Sequence, residues 1–369
     1  MTPTTFAPEP EHVMELRRQL QRFVKEKAPR QKRLQWDREH TWPRELFREI
    51  AEMGLIGLTI PAAYGGTGRD LVAAVAVIEE LSQAGAFLAG PYIHAAFYGG
   101  MNLSENGSED QKQALLPKIA RGELLLCYGL SEPNVGGDLS SVETRAEMHG
   151  DAIVINGSKR WCTGADWSDY NYCLVRSGDP AARHANLSLL LIPTDTPGIS
   201  MQAIQHNNLR YTASMDVSFD NVTVGPDAIV GGRDMWNKGW QQLSGRALDV
   251  EKIEITACAY GFARAAVEEA WQYAREREQF GKPIASHQAV RHKLVTAKTK
   301  LQAARHMLYH GAWLADQGLP CSIETSMAKL FVADIGVEIG IACQQVMGAY
   351  ALSDGFDIER NLRDLLGMP

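Results

Sequence analysis

The sequence predicts an α+β protein of several domains, because the spacing of its apolar residues changes twice. Apolar residues recur at steps of three and four up to about residue 125, alternate from about 126 to 235, and then return to the helical spacing. No Gly-x-Gly-x-x-Gly follows a predicted strand, so we expect no doubly wound nucleotide-binding sheet. The prediction is an N-terminal α-helical domain over 1–125, a middle antiparallel β domain over 126–235 and a C-terminal α-helical bundle over 236–369.

Composition excludes several classes of protein. The chain of 369 residues is longer than one usual domain, and its net charge of −7 offers no basic excess for a nucleic acid. Its six cysteines include no Cys-x-x-Cys pair, as in a reduced cytosolic protein without a structural zinc site. We find neither a secretory signal nor a run of about 18 apolar residues. We therefore expect a cytoplasmic protein with no metal and no membrane span.

Several helices have recognisable boundaries. Trp42-Pro43 opens a helix that should run to about Met53, and the apolar stretch Leu71–Leu81 predicts a buried helix. Ser108 and Gln111 form a capping box that starts the next helix at Glu109. In the last third, an apolar stripe predicts a helix that ends near Phe280-Gly281, and two more helices should cover about 286–317 and 322–350. The stripe consists of Ile253, Ala257, Tyr260, Ala263, Val267 and Trp271.

The strands of the middle region are shorter and carry turn signals. Ile153–Ile155 predicts a short strand that ends in a hairpin turn at Asn156-Gly157. Leu187–Ile192 predicts a second apolar strand, ended by Pro193. A later strand continues past Asp220-Asn221, where we expect a bulge or a turn.

The stretch Cys127–Asp138 has the composition of a loop that approaches a large planar ligand. Ser131 offers a hydroxyl group, and Gly136 and Gly137 remove side chains where the backbone has to come close. On its own, the same stretch also fits a Gly-Pro turn before a strand.

Three blocks in this order resemble the acyl-CoA dehydrogenase family of flavoproteins. They are Tyr128-Gly-Leu-Ser-Glu-Pro133, Trp161-Cys-Thr163 and Arg277-Glu-Gln-Phe-Gly281. A Pro-x-x-Tyr-Gly-Gly that begins at Pro61 is a further signature of the family. The match extends over nearly the whole chain, and it implies bound FAD.

The resemblance implies which residues contact the FAD. In the second block, the Thr163 hydroxyl would lie beside flavin N5, and the Trp161 indole would pack against the ring system. Without the resemblance, Trp161 would be interpreted as a core aromatic of the β domain. The implied contacts on the flavin side are Tyr128, Leu130, Ser131, Gly136, Trp161, Cys162 and Thr163.

A second group is implied to reach the FAD of a neighbouring subunit, since an arginine fork suits the pyrophosphate. The enzyme should then be at least a dimer, and the family is commonly tetrameric. Without the resemblance, Arg277 is a solvated cation at a helix end. The implied group consists of Arg277, Gln279, Phe280, His287, Gln288, Gln345, Gly348 and Ala349.

The implied reaction is α,β-dehydrogenation of an acyl-CoA thioester, which needs a carboxylate base with a raised pKa. Leu248-Asp-Val-Glu251-Lys252 matches the position used by isovaleryl and long-chain enzymes, so we expect Glu251 to be the base, with Glu254 next in line. Other members place the base in a Tyr-Glu-Gly-Thr motif soon after an Arg-Asp pair. Here that pair is Arg363-Asp364 and the sequence ends at Pro369, which leaves the motif undecided.

The resemblance also implies substrate contacts and partners. Asp249 and Lys252 match positions that meet the CoA portion, although Lys replaces the usual Arg, and Gly137 stands where the family often has a substrate-contacting Ser. Electrons would pass to an electron-transfer flavoprotein. Two alternatives stay open: an oxidase or flavin monooxygenase of the same fold, and a non-catalytic subunit that completes a partner's FAD site.

Overall fold

The predicted fold class is confirmed in the computed structural model, which describes residues 9–369 and their side chains except those of 246 and 247. A helical layer is followed by a seven-stranded sheet and then by a helical bundle. The N-terminal helices are α1 (Glu11–Lys27), α2 (Arg30–Glu39), α3 (Arg44–Glu52), α4 (Leu71–Ala84), α5 (Ala86–Ile93), α6 (Asn102–Asn106) and α7 (Glu109–Ala120).

Local chemistry explains the boundaries of these helices. The Ser108 side chain accepts from the Gln111 backbone and the Gln111 side chain accepts from the Ser108 backbone, which confirms the predicted capping box. Helix α4 is almost entirely buried, as its apolar sequence predicts. A π-helical stretch, His94–Met101, joins α5 to α6. Such stretches are rare and often mark functional sites.

The middle sheet is mostly antiparallel. Strands β2 (Arg145–His149), β3, β7 and β6 pair antiparallel in that order, and β4 pairs antiparallel with β5. The predicted antiparallel β domain is thus present, with one exception in the pairing: β4 is parallel to β1 and to one residue of β2. The remaining strands are β1 (Leu126–Gly129), β3 (Ala152–Thr163), β4 (Tyr170–Arg176), β5 (Leu187–Pro193), β6 (Ile199–Ile204) and β7 (Ser214–Val224).

The predicted hairpin at Asn156-Gly157 was wrong, because β3 continues through both residues to Thr163. The register between β3 and β7 shifts there, opposite the irregularity predicted near Asn221. Gly157 has a φ of 144°, and an added Cβ would lie 2.6 Å from the Cα atom of Thr144. The glycine therefore serves a bulge with a close backbone approach.

The C-terminal bundle contains α8 (Gly239–Gln242), α9 (Leu248–Glu276), α10 (Gln288–Asp316), α11 (Ser322–Met347) and α12 (Ile358–Leu365). Helix α9 ends at Glu276, earlier than predicted. The residues Phe280-Gly281 instead form a tight turn between β8 (Glu278–Gln279) and β9 (Lys282–Pro283), with φ values of 56° and 75°. Positive φ at both central residues is the geometry of a two-residue hairpin turn.

Helix α11 combines length with apolar composition. By these two properties alone it is the one described helix that could cross a membrane, and half of the stretch is buried inside the protein. Ile323, Met327 and Leu330 remain exposed on one face of it. Their spacing of four and three residues makes a continuous apolar stripe.

A buried cluster of charges joins four helices. The Glu79 carboxylate of α4 accepts from Arg17 of α1 at 2.8 Å, from Arg264 of α9 at 2.6 Å and from Tyr309 of α10 at 2.6 Å. Glu80 accepts from the same two arginines. Every formal charge in the cluster therefore has an opposite partner, as buried ions require.

Replacing Glu79 with Met should lower the free energy of unfolding by about 3–5 kcal/mol, because the substitution leaves buried arginine charge without its full complement. The matched control is Glu268→Met, which removes a mostly exposed partner of Arg264 and should cost at most about 1 kcal/mol. Urea unfolding of both variants measures the difference. Equal losses would contradict the assigned role of the cluster.

Candidate active site

Two glutamates of α9 lie on one face, one helical turn apart. Glu251 is half-buried and Glu254 is fully buried. Burial raises the pKa of Glu251 to about 7, against a smaller lowering by Lys252. Burial, and then the nearby Glu251, raise the pKa of Glu254 well above its ordinary value. In both members of the pair burial therefore favours the neutral form of the carboxyl group, more strongly in the deeper Glu254.

Two tyrosines face this pair from the N-terminal layer and the sheet. Tyr98, in the π-helical stretch, stacks on Tyr128 of β1 with ring centroids 4.0 Å apart. Burial is the main cause that raises the pKa of both phenols, and the two glutamates add to it. The Tyr128 hydroxyl accepts a hydrogen bond from the Asn102 side chain. The site therefore lies where all three layers meet.

A buried ion pair fixes the loop that contains Ser131. The Glu132 carboxylate accepts from Lys159 Nζ at 2.8 Å and from the backbone of Glu143 and Thr144. Burial works to raise the pKa of Glu132, but Lys159 and these hydrogen bonds outweigh it and lower the pKa. Lys159 also donates to the Leu130 carbonyl at 3.2 Å. No role was predicted for Lys159 from the sequence; the available signal was its position on the buried side of β3.

The end of β3 presents the second block of predicted residues. Trp161 has a φ of 63°, and 53% of its surface is exposed, whereas the Cys162 side chain is fully buried in the sheet core. The Thr163 hydroxyl lies 2.9 Å from that of Ser214 on β7. An exposed indole in a strand that packs well elsewhere indicates a surface that a ligand or a partner covers.

The backbone near these residues is open, and a cleft lies close to the end of β3. A Cβ atom added to Gly136 or Gly137 would meet nothing within 4 Å. A cleft of about 390 Å³ opens beside the end of β3 and is lined by Trp42, Trp167 and Ala213 among others. Open backbone, an exposed indole and hydroxyl groups are features that suit a flavin.

The residues predicted to meet the CoA portion begin α9. Lys252 Nζ donates to the Asp249 carboxylate at 3.1 Å, across one helical turn. Both side chains are half-buried and lie within the same turn as Glu251. The charged pair therefore marks the outer end of the site.

The second predicted group gathers at the opposite end of α9. The Arg277 guanidinium lies 5.6 Å from the centre of the Tyr350 ring, beside Gly348 and Ala349 at the end of α11. Phe280 is 92% exposed, with the His287 ring 5.9 Å away, whose Nε2 lies 3.3 Å from the Gln279 carbonyl. Gln288 begins α10, and Gln345 accepts from Lys293 at 2.7 Å.

The two groups lie at opposite ends of α9. Helix α9 separates Glu251 from Arg277 by about 39 Å at the rise of an α-helix. A cofactor that contacted both ends of α9 in one chain would have to extend along nearly the whole helix. The distance therefore favours a second chain as the source of one of the two ends.

The pair Arg363-Asp364 has structural contacts. Arg363 binds the Asp37 carboxylate at 2.8 Å and 2.9 Å, and Asp364 accepts from the Leu209 backbone at 2.6 Å. These contacts fasten α12 to α2 and to the loop before β7. Among residues 9–369, no group of three His, Cys, Asp or Glu side chains could hold a metal ion.

Comparisons with known proteins agree along the whole chain. Family models described as the N-terminal, middle and C-terminal domains of acyl-CoA dehydrogenase match residues 10–123, 127–222 and 237–369. A probable acyl-CoA dehydrogenase of Bacillus subtilis (strain 168) is 33% identical over 329 residues, covering 89% of this chain and 86% of the relative.

Two solved structures show the same fold. Butyryl-CoA dehydrogenase from Megasphaera elsdenii has a TM-score of 0.93 at 25% identity and covers 99% of this chain and 95% of its own. A chain from the structure reported for the electron transferring flavoprotein of Acidaminococcus fermentans has a TM-score of 0.93 at 27% identity, with 99% and 94% covered. The chain therefore belongs to the acyl-CoA dehydrogenase family, as an oxidoreductase that acts on acyl-CoA and for which FAD is the implied cofactor.

Proposed function

We propose that this enzyme converts an acyl-CoA thioester to the trans-2-enoyl-CoA, with Glu251 as the base that removes the α proton. The observation that carries the proposal is the half-buried Glu251 carboxyl group, whose pKa is raised to about 7 at the meeting point of the three layers. A base poised near the working pH transfers protons most effectively. The location also matches one of the two positions at which the family places its base.

The chain's own residues position the substrate and handle the proton. Bound FAD would supply the hydride acceptor for the β carbon. Glu251 would take the α proton at a carboxylate oxygen, and its partly buried setting raises its basicity. Asp249 and Lys252 bind the CoA portion at the outer end, and Gly137 leaves its side of the site open.

The flavin contacts divide into side-chain and backbone contacts. Thr163 and Ser131 offer hydroxyl groups, and the exposed Trp161 indole covers the ring. Leu130, Cys162 and Tyr128 contribute their backbone, since their side chains are buried or packed on the helical layer. Gly136 lets the backbone approach closely.

The distance along α9 supports an assembly of at least two subunits, and we propose a homotetramer. Arg277, Gln279 and Phe280 would contact the FAD of a neighbouring subunit, with His287, Gln288, Gln345, Gly348 and Ala349 beside them. The apolar stripe of Ile323, Met327 and Leu330 supplies a surface for subunit contact. We further propose an electron-transfer flavoprotein as the electron acceptor, a cytoplasmic location and domain limits near residues 126 and 236.

Replacing Glu251 with Gln should slow anaerobic flavin reduction by the best acyl-CoA by about 10²–10⁴-fold, because it keeps size and polarity but removes the base. Flavin content should not change. The control is Glu268→Gln on the exposed face of α9, which should bleach at the parent rate. If Glu251→Gln also bleaches at the parent rate, the base is elsewhere. Slow recolouring in air distinguishes a dehydrogenase from an oxidase.

The rate of flavin reduction in the parent enzyme should depend on pH with a midpoint near 7. Glu251 acts only when it is deprotonated, so the rate should fall about tenfold per pH unit below the midpoint and level off above it. Stopped-flow reduction between pH 5.5 and 9 measures the profile. A rate that stays constant down to pH 5.5 would show that no carboxyl group with a raised pKa takes the proton.

Replacing Arg277 with Ala should weaken FAD binding by about 10- to 100-fold, the loss expected for a charge-assisted hydrogen bond. The exposed neighbour Arg275→Ala controls for surface charge on the same helix end. Flavin retention after gel filtration and dilution measures both variants. Equal retention by the two variants would contradict the assignment of Arg277.

A further inference from the structure

Glu254 is a buried carboxyl group that the proposed proton transfer does not use. It is 1% exposed, and none of the described side chains or backbone groups makes a hydrogen bond with either of its oxygens. Glu79 is equally buried but has three hydrogen-bonding partners. Burying an unpaired polar group destabilises a fold, so Glu254 carries a cost that no internal contact offsets. Such residues are typical of sites that bind ligands.

Glu254 lies deeper in the site than Glu251. The two residues are three apart on α9, which places Glu254 about 4.5 Å further along the helix axis. Glu251 is half-buried and Glu254 is fully buried, so Glu251 is the more accessible of the two. An acyl chain that placed its α carbon at Glu251 and extended inward would bring its later carbons to Glu254.

A second polar atom without a partner is linked to Glu254 through Tyr128. Asn102 is fully buried, and its Nδ2 donates to the Tyr128 hydroxyl, whereas its Oδ1 makes no hydrogen bond with any described residue. The Tyr128 phenol in turn interacts with both glutamates. The Glu254 carboxyl group and the Asn102 carbonyl oxygen thus lie on either side of Tyr128 without hydrogen-bonding partners, and a plain alkyl chain would leave both unpaired.

We propose that Glu254 and Asn102 bind a hydroxyl group on the acyl chain, so that the enzyme prefers hydroxyacyl thioesters to alkyl thioesters of the same length. A hydroxyl group can donate one hydrogen bond and accept two. It would donate to the Asn102 amide oxygen, which only accepts, and accept from the neutral form of the Glu254 carboxyl group. The inference rests on the proposed function, because it takes Glu251 as the position of the α carbon. A reach of about 4.5 Å spans three to four covalent bonds and places the hydroxyl near the δ or ε carbon.

The test compares 6-hydroxyhexanoyl-CoA with heptanoyl-CoA, in which a methyl group replaces the hydroxyl. The FAD-loaded parent should reduce its flavin with a kcat/KM about 10- to 100-fold higher for the hydroxy substrate. Glu254→Met should reverse this preference, because the substitution gives an apolar pocket of similar volume. Glu254→Gln, which keeps a donor and an acceptor, should retain most of it.

A readout that does not depend on turnover separates binding from a structural role. Glu254→Met should raise the Tm by a few degrees, since it removes a buried polar group without partners. Glu79→Met, its matched control, should lower the Tm. A fall in Tm for Glu254→Met would show that Glu254 serves the fold and would overturn the proposal.

Two kinetic results would also overturn it. One is a parent enzyme that prefers heptanoyl-CoA, and the other is a Glu254→Met variant that loses equal activity on both substrates. Either result leaves the proposed function intact as long as some acyl-CoA bleaches the flavin. Failure of every thioester to bleach the loaded parent would refute the proposed function itself and the inference with it.

Discussion

The close crossing of α4 and α9 at Gly261 is the constraint on which the rest of the molecule depends. A Cβ atom added to Gly261 would lie 2.5 Å from Ser82 Cβ and 2.7 Å from the Glu79 carbonyl oxygen. Only glycine lets the two helices come this close. The crossing brings Arg264 to the carboxylates of α4, and the buried Glu254 lies two turns earlier on the same helix. The buried charge cluster and the candidate site thus share helix α9.

Buried carboxyl groups on the two sides of this crossing differ in their number of hydrogen-bonding and charged partners. At Glu79 every buried charge has partners, which stabilises the helical layers. At Glu251 and Glu254 the carboxyl groups lie in the same kind of buried setting with few compensating contacts, and their pKa values rise as a result. The ion pair of Glu132 and Lys159 holds the facing loop without neutralising either glutamate. A well-paired frame therefore surrounds two carboxyl groups with few compensating contacts, one of which is the proposed base.

The sequence predicted the order of the layers and the capping box at Ser108, because these features depend on local spacing. The predictions of a hairpin at Asn156-Gly157 and of a helix end near Phe280-Gly281 were wrong. A glycine at either place fits a bulge, a turn or a helix end, and only the pairing of the neighbouring strands decides among them. The role of Lys159 depends on a partner 27 residues away. The unpartnered oxygens of Glu254 result from three layers meeting, which no local pattern reveals.

Removal of the α proton can be measured apart from oxidation, and this tests the assignment of Glu251 most directly. A 3-thia acyl-CoA carries sulfur at the β position and so has no hydride to lose, but its α hydrogens can still exchange with D₂O. The parent enzyme should catalyse this exchange, and Glu251→Gln should bind the analogue without exchanging it. Exchange by Glu251→Gln at the parent rate would contradict the central claim that Glu251 is the base.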